Sequence, residues 1–163
     1  MSASSPTPSS RTPLRIELGP DRYFYLSHLL PHTPTPRQAL FLSLQTIREA
    51  MYGGAAGGGK SDALIMDALQ YAHCPGYSAL LLRRTFPDLN LPGAIMHRAK
   101  AWLLPHGVRW NDRDKTFTFE GGAQLTFGYL ETEKDKYRYH GAEYQYVGFD
   151  EGTQFESTEW VYL

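Results

Sequence analysis

A chain of 163 residues with 42% hydrophobic and 20% charged content is the size of one globular domain, and its composition is that of a folded rather than a disordered polymer. A net charge of −1 gives no whole-chain attraction to nucleic acid, so any such contact must come from a local patch or from another domain. No apolar run approaches the ~20 residues that a membrane span needs, and the single cysteine, Cys74, excludes an internal disulfide.

In chain order, residues 1–13 are rich in Ser, Thr and Pro and lack the apolar centre of a secretory signal; they are expected to form a disordered tail ahead of one domain over 14–163. Tyr23-Phe24-Tyr25-Leu26, with Leu29 and Leu30, is expected to pack on that domain. Residues 49–53 read as a short buried strand. Gly54-Ala55-Ala56-Gly57-Gly58-Gly59-Lys60-Ser61 follows, and residues 60–73 carry enough Ala, Leu, Ile and Met to predict a largely buried helix stopped by Pro75-Gly76. Residues 77–83 form a near-continuous apolar run, as in a parallel strand covered on both faces. A helix is expected over 92–104, ended by Pro105-His106-Gly107. The period then changes to two, and Thr116-Phe117-Thr118-Phe119, Glu120-Gly121-Gly122-Ala123 and Gln124-Leu125-Thr126-Phe127 predict a β-hairpin with one wet face. Residues 131–140 mix acids, bases and tyrosines and read as a solvated connection, the alternative being that Lys136, Tyr137 and Arg138 touch DNA phosphates or a neighbouring subunit. A last strand over 144–149 ends in Asp150-Glu151.

Residues 54–61 fit G-x-x-x-x-G-K-[ST], whose spacing is itself a mechanism. Small residues let backbone N–H groups crowd around phosphate oxygens. Lys60 supplies a point charge to the β- and γ-phosphates, the Ser61 hydroxyl is a ligand for Mg²⁺, and the following helix adds its positive end. The bland alternative is a flexible glycine linker. An acidic pair ending a buried strand is costly unless something there needs charge. Asp150 is therefore a candidate to hold Mg²⁺ opposite Ser61, and Glu151 to orient the attacking water. The competing reading makes Asp150 a turn cap and leaves Glu151 solvated. Cys74, beside Pro75, reads as a half-buried small residue rather than a nucleophile, and the scattered histidines show no zinc-site spacing.

With these motifs placed, the chain resembles the ATPase domain of the large terminase subunit, the DNA-packaging motor of tailed bacteriophages. Thr35-Pro36-Arg37-Gln38-Ala39-Leu40-Phe41-Leu42 resembles the family's adenine-side segment, which makes Gln38 the residue that reads the base. Tyr52 and Gly53 lead into the phosphate loop, formed by Gly54, Ala55, Ala56, Gly57, Gly58, Gly59, Lys60 and Ser61. Leu81-Leu82-Arg83-Arg84-Thr85-Phe86 resembles the strand that follows. His140-Gly141-Ala142-Glu143-Tyr144, then Phe149-Asp150-Glu151-Gly152-Thr153-Gln154-Phe155, resembles the approach to and exit from the acidic strand.

The resemblance implies an α/β fold: a three-layer αβα P-loop NTPase of the additional-strand, RecA-like kind, with a mainly parallel sheet, incomplete at its C-terminus, plus a β-hairpin insertion. It implies an ATPase using ATP and Mg²⁺ to drive double-stranded DNA into a procapsid. Glu151 and Lys60 would then be catalytic, and Ser61 and Asp150 would hold the metal. A homo-oligomeric ring, a small terminase subunit and a portal are the implied partners, and the host cytoplasm the implied location, with no membrane. Three departures stand out. Ala55 lies where many members carry an Arg, so Arg83, Arg84 or a neighbouring subunit must supply positive charge as the γ-phosphate leaves. No coupling motif and no nuclease domain follow before Leu163, which suggests a truncated protein. A strand expected between the phosphate-loop strand and the acidic strand is missing, so an unfilled gap between the two halves of the site, and weak ATP binding, are expected. Two other functions remain open: a helicase-type P-loop ATPase, and a nucleotide-binding module without turnover.

Overall fold

Thr35 starts the first helix, α1 (Pro36–Leu42), through a reciprocal cap. Its hydroxyl accepts from Gln38 N at 3.4 Å, while Gln38 Oε1 accepts from Thr35 N at 2.8 Å. The computed structural model describes residues 27–55 and 57–162. The expected tail, the stretch at 23–26 and Ala56 lie outside the described residues, although Leu29 just beyond is 3% exposed and belongs to the core.

Helix α2 (Lys60–Leu69) begins at the end of the glycine-rich loop, as its composition predicts, but ends four residues before the expected 73. Ala63, Ile65, Met66, Ala68 and Leu69 are buried, so the helix sits inside the domain. Strand β1 (Ser78–Arg83) follows, with Ala79, Leu80, Leu81 and Leu82 all at 0% exposure. The helix expected over 92–104 forms within those bounds, and a short helix that was not expected precedes it. Thr85 caps that short helix, α3 (Phe86–Asn90), by accepting from Asp88 N, and the expected helix, α4 (Ile95–Leu103), begins after Ala94. A 3₁₀ turn and Gly107, at φ 76°, close α4.

Strands β2 (Arg109–Asn111), β3 (Thr116–Thr118), β4 (Gln124–Tyr129) and β5 (Tyr146–Phe149) complete a five-stranded sheet in the order β2-β3-β4-β1-β5. The hairpin forms, pairing Phe117 with Leu125. It is no insertion, because β4 also pairs in parallel with β1, Leu81 opposite Phe127. The sheet is therefore mixed rather than mainly parallel: β4 and β5 pair in parallel with β1, while β3 runs against its neighbours β4 and β2. The reason is connection length. Gly121-Gly122 allows a tight antiparallel return, whereas the longer path through α3 and α4 permits a parallel crossover.

Residues 49–53 do not form a strand, and Met51 there is 76% exposed. A strand exists only with a ladder partner, and among the described residues β5 pairs on one edge only, with β1. The two faces of the sheet are covered unequally. Helices α2 and α4 pack against Ala79, Leu81, Phe117, Leu125 and Phe127 on one face. On the other, Leu80, Leu82 and Leu130 meet Phe155 and Tyr139, which among the described residues come from short segments rather than a full helical layer.

The charged stretch at 131–140 is also ordered by packing. Glu133–Tyr139 is a 3₁₀ segment in which Lys136 Nζ meets Glu133 Oε1 and Arg138 Nη2 meets Asp135 Oδ1, both at 2.9 Å. Tyr139 Oη pins it to the sheet, accepting from Tyr129 N at 2.9 Å and donating to Tyr129 O at 3.1 Å. Lys136 and Arg138 are thus neutralised within their own segment rather than forming a bare basic patch.

Candidate functional site

Parallel pairing brings the carboxyl ends of β1, β4 and β5 to one edge of the sheet, where ligands of α/β proteins bind. Asp150 extends the β5 pairing by one residue, its N–H donating to Leu82 O at 2.9 Å. Ser61 lies in the first turn of α2, over the same edge. Its hydroxyl donates to Asp150 Oδ1 at 3.0 Å, across 89 residues of sequence. The expected gap between these two residues is absent: with no strand at 49–53 to hold the loop away, α2 rests on the sheet beside β5.

The loop is shaped by its glycines. Gly59, at φ 71°, caps α2 in the left-handed region, and a Cβ there would lie 2.6 Å from Gln38 Nε2. A Cβ on Gly58 would meet the Ala55 carbonyl at 3.0 Å. Lys60 Nζ donates to the carbonyls of Gly54 and Ala55, both at 3.1 Å. The ammonium is held over its own loop by neutral acceptors, which an incoming phosphate can outbid by charge.

Gln38 is buried at 1% exposure, and both ends of its amide are engaged: Oε1 with Thr35 N, and Nε2 with Gly59 O at 3.0 Å. It props the glycine-rich loop from α1, a role that the motif did not reveal. Tyr52 joins that support through an edge contact to Phe41 at 5.3 Å.

The two arginines considered as sources of charge are both paired. Arg83 Nε donates to Asp150 Oδ2 at 2.7 Å. Arg84 Nη1 reaches both carboxylate oxygens of Glu159 at 2.9 Å. The Arg83 contact was legible only as an arginine ending an apolar strand; that its neighbour in space is Asp150 needed the sheet order. Glu151 is exposed and adopts φ 58°, ψ 48°, an uncommon conformation for a residue with a side chain and one that clusters at functional sites.

The donor set tests the fit of a metal. Among the described residues no cluster of three His, Cys, Asp or Glu side chains forms. Ser61 and Asp150 instead offer one hydroxyl and one carboxylate, hard oxygens suited to Mg²⁺, whose other ligands are usually phosphate and water. A cleft of about 560 Å³ lies elsewhere, along Tyr139 to Gln145, and includes none of Lys60, Ser61 or Asp150. Cys74 is free and half-buried beside His73.

No curated protein and no solved structure matches the chain. A family model does: that of the terminase large subunit, T4-like virus type, N-terminal region, over residues 51–159. The match runs from just before the glycine-rich loop to Glu159, past Ser61, Arg83 and Asp150. It covers more than half of the sequence, and the chain belongs to this family of terminase large-subunit N-terminal domains, proteins of phage DNA packaging.

Proposed function

We propose that the chain is the ATP-binding and ATP-hydrolysing motor domain of a phage terminase large subunit, and that it powers movement of double-stranded DNA into a procapsid. The observation that carries this reading is the 3.0 Å contact between Ser61 Oγ and Asp150 Oδ1. A glycine loop with a lysine and a hydroxyl, closing on a carboxylate at the end of a parallel strand, is the arrangement needed to bind a magnesium-bound triphosphate.

In this reading Lys60 leaves the Gly54 and Ala55 carbonyls for the β- and γ-phosphates, and the amides of Gly57, Gly58 and Gly59 would face the same phosphates. Ser61 and Asp150 hold Mg²⁺, which when bound neutralises charge on the phosphate oxygens. Glu151, one residue beyond the metal carboxylate, orients water for in-line attack. Gln38 contacts the adenine, exchanging its bond to Gly59 for one to the base. A ring of copies on a portal, with a small subunit and DNA, is the implied assembly, and it would work in the host cytoplasm. No described helix is long and apolar enough to cross a membrane.

Equilibrium ATP binding and phosphate release, measured on the wild type, Lys60→Ala and Glu151→Gln, test the reading. Lys60→Ala is expected to lose ATP affinity, and Glu151→Gln to keep binding while losing turnover by about 10²-fold or more. ATP affinity indifferent to Lys60→Ala would remove the phosphate-loop assignment.

A further inference from the structure

Asp150 is only 3% exposed, and each of its oxygens has a different partner. Oδ1 accepts from Ser61 Oγ at 3.0 Å and Oδ2 from Arg83 Nε at 2.7 Å. The backbones behind these side chains are fixed as well, since Asp150 N donates to Leu82 O, the residue before Arg83. The Arg83 side chain is 17% exposed. A buried carboxylate needs a compensating charge, which a serine hydroxyl cannot supply and a guanidinium can. Arg84, the other arginine of the pair, is committed to Glu159.

We propose that Arg83 is a positioning residue for the divalent cation: by holding Asp150 through Oδ2, it turns Oδ1 toward Ser61 and so sets the affinity of the metal site. The proposal rests on the Ser61 and Asp150 metal reading above and adds a residue outside both the phosphate loop and the acidic pair. It divides one carboxylate between two tasks, with one oxygen fixed to the sheet and the other facing the ion. Outer partners of this kind commonly govern metal affinity by about 10- to 100-fold. It also assigns Arg83 to Asp150 rather than to the departing phosphate.

The test is binding of a fluorescent ATP analogue across a Mg²⁺ titration and in EDTA, with Mn²⁺ binding followed by electron paramagnetic resonance. Wild type is compared with Arg83→Met, which keeps the apolar stem but loses the donor and the charge, and with Arg83→Lys, which keeps a mobile charge. Arg83→Met is expected to weaken Mg²⁺ and Mn²⁺ about tenfold or more while nucleotide affinity in EDTA stays at the wild-type value. Arg83→Lys should fall between the two. Unchanged or tighter metal binding in Arg83→Met overturns the proposal, as does an equal loss with and without metal. Intact metal binding with lost trapping of ADP–aluminium fluoride also overturns it, and assigns Arg83 to the phosphate. If circular dichroism shows Arg83→Met unfolded, Arg83→Lys carries the readout, and wild-type metal affinity there overturns the proposal. A wild type that binds no nucleotide with Mg²⁺ sinks the ATPase reading itself; normal wild-type binding beside an indifferent Arg83 variant sinks only the positioning role.

Discussion

Gln38 Nε2 donates a 3.0 Å hydrogen bond to the carbonyl of Gly59, the residue immediately before Lys60. One buried amide thus ties the start of α1 to the glycine-rich loop, because its oxygen simultaneously caps Thr35. Gln38→Ala removes both bonds and is expected to cost about 1–2 kcal/mol in urea denaturation. Gly59→Ala adds a methyl 2.6 Å from the same amide at φ 71°, and is expected to cost about 1–2 kcal/mol. In the double variant part of that crowding is relieved, so the two losses should sum to less than their separate values. Loss of ATP-over-GTP preference in Gln38→Ala would support the adenine contact.

Arg84 and Glu159 form a pair in which the acid is 2% exposed and also accepts from Glu156 N at 2.9 Å. Removing the arginine leaves a buried, uncompensated carboxylate. Arg84→Ala should lower stability by about 3 kcal/mol, and the Arg84→Ala, Glu159→Gln double variant should recover much of it. Denaturation midpoints of the three proteins check this. A large loss of turnover without loss of stability would instead give Arg84 a catalytic role.

Burial raises Asp67 from the ordinary 3.8 to about 6, against opposing hydrogen bonds from Tyr146 and Gln70. The fold therefore favours the protonated acid. That contribution is complete below about pH 4 and is lost as pH rises through 6, a loss of up to about 3 kcal/mol. Asp67→Asn should flatten this part of the curve and raise stability at pH 7 relative to wild type. Urea titrations from pH 4 to 8 on both proteins measure the difference. An identical pH slope in the variant would show that Asp67 does not produce it.

Glu151 adopts φ 58°, ψ 48° where a glycine would be unstrained. Glu151→Gly is expected to raise stability by about 1 kcal/mol while abolishing phosphate release. Stability and activity moving in opposite directions would mark strain kept for function. Retained phosphate release in Glu151→Gly would remove the residue from the chemistry.

Local rules account for what could be read directly. The spacing of Gly54, Gly59, Lys60 and Ser61, the apolar run at Leu80, Leu81 and Leu82, the period-two hairpin and the acidic pair all depend on near neighbours in sequence. The α2 helix, β1, the β3–β4 hairpin and β5 formed where those patterns fell, within a few residues. The strand expected at 49–53 did not form, because strand formation depends on a partner that no local pattern can supply.

The primary structure by itself determined which residue types carry the chemistry and the order in which they come, since turn geometry and side-chain periodicity act over a few residues. Only the tertiary structure decided their partners. Sheet order put Arg83 beside Asp150, helix packing put Gln38 under Gly59, and the parallel β1–β5 pairing brought Ser61 to Asp150. These contacts span tens of residues and depend on which strands lie side by side, a choice made by the competition among all strand pairings and not by any one segment.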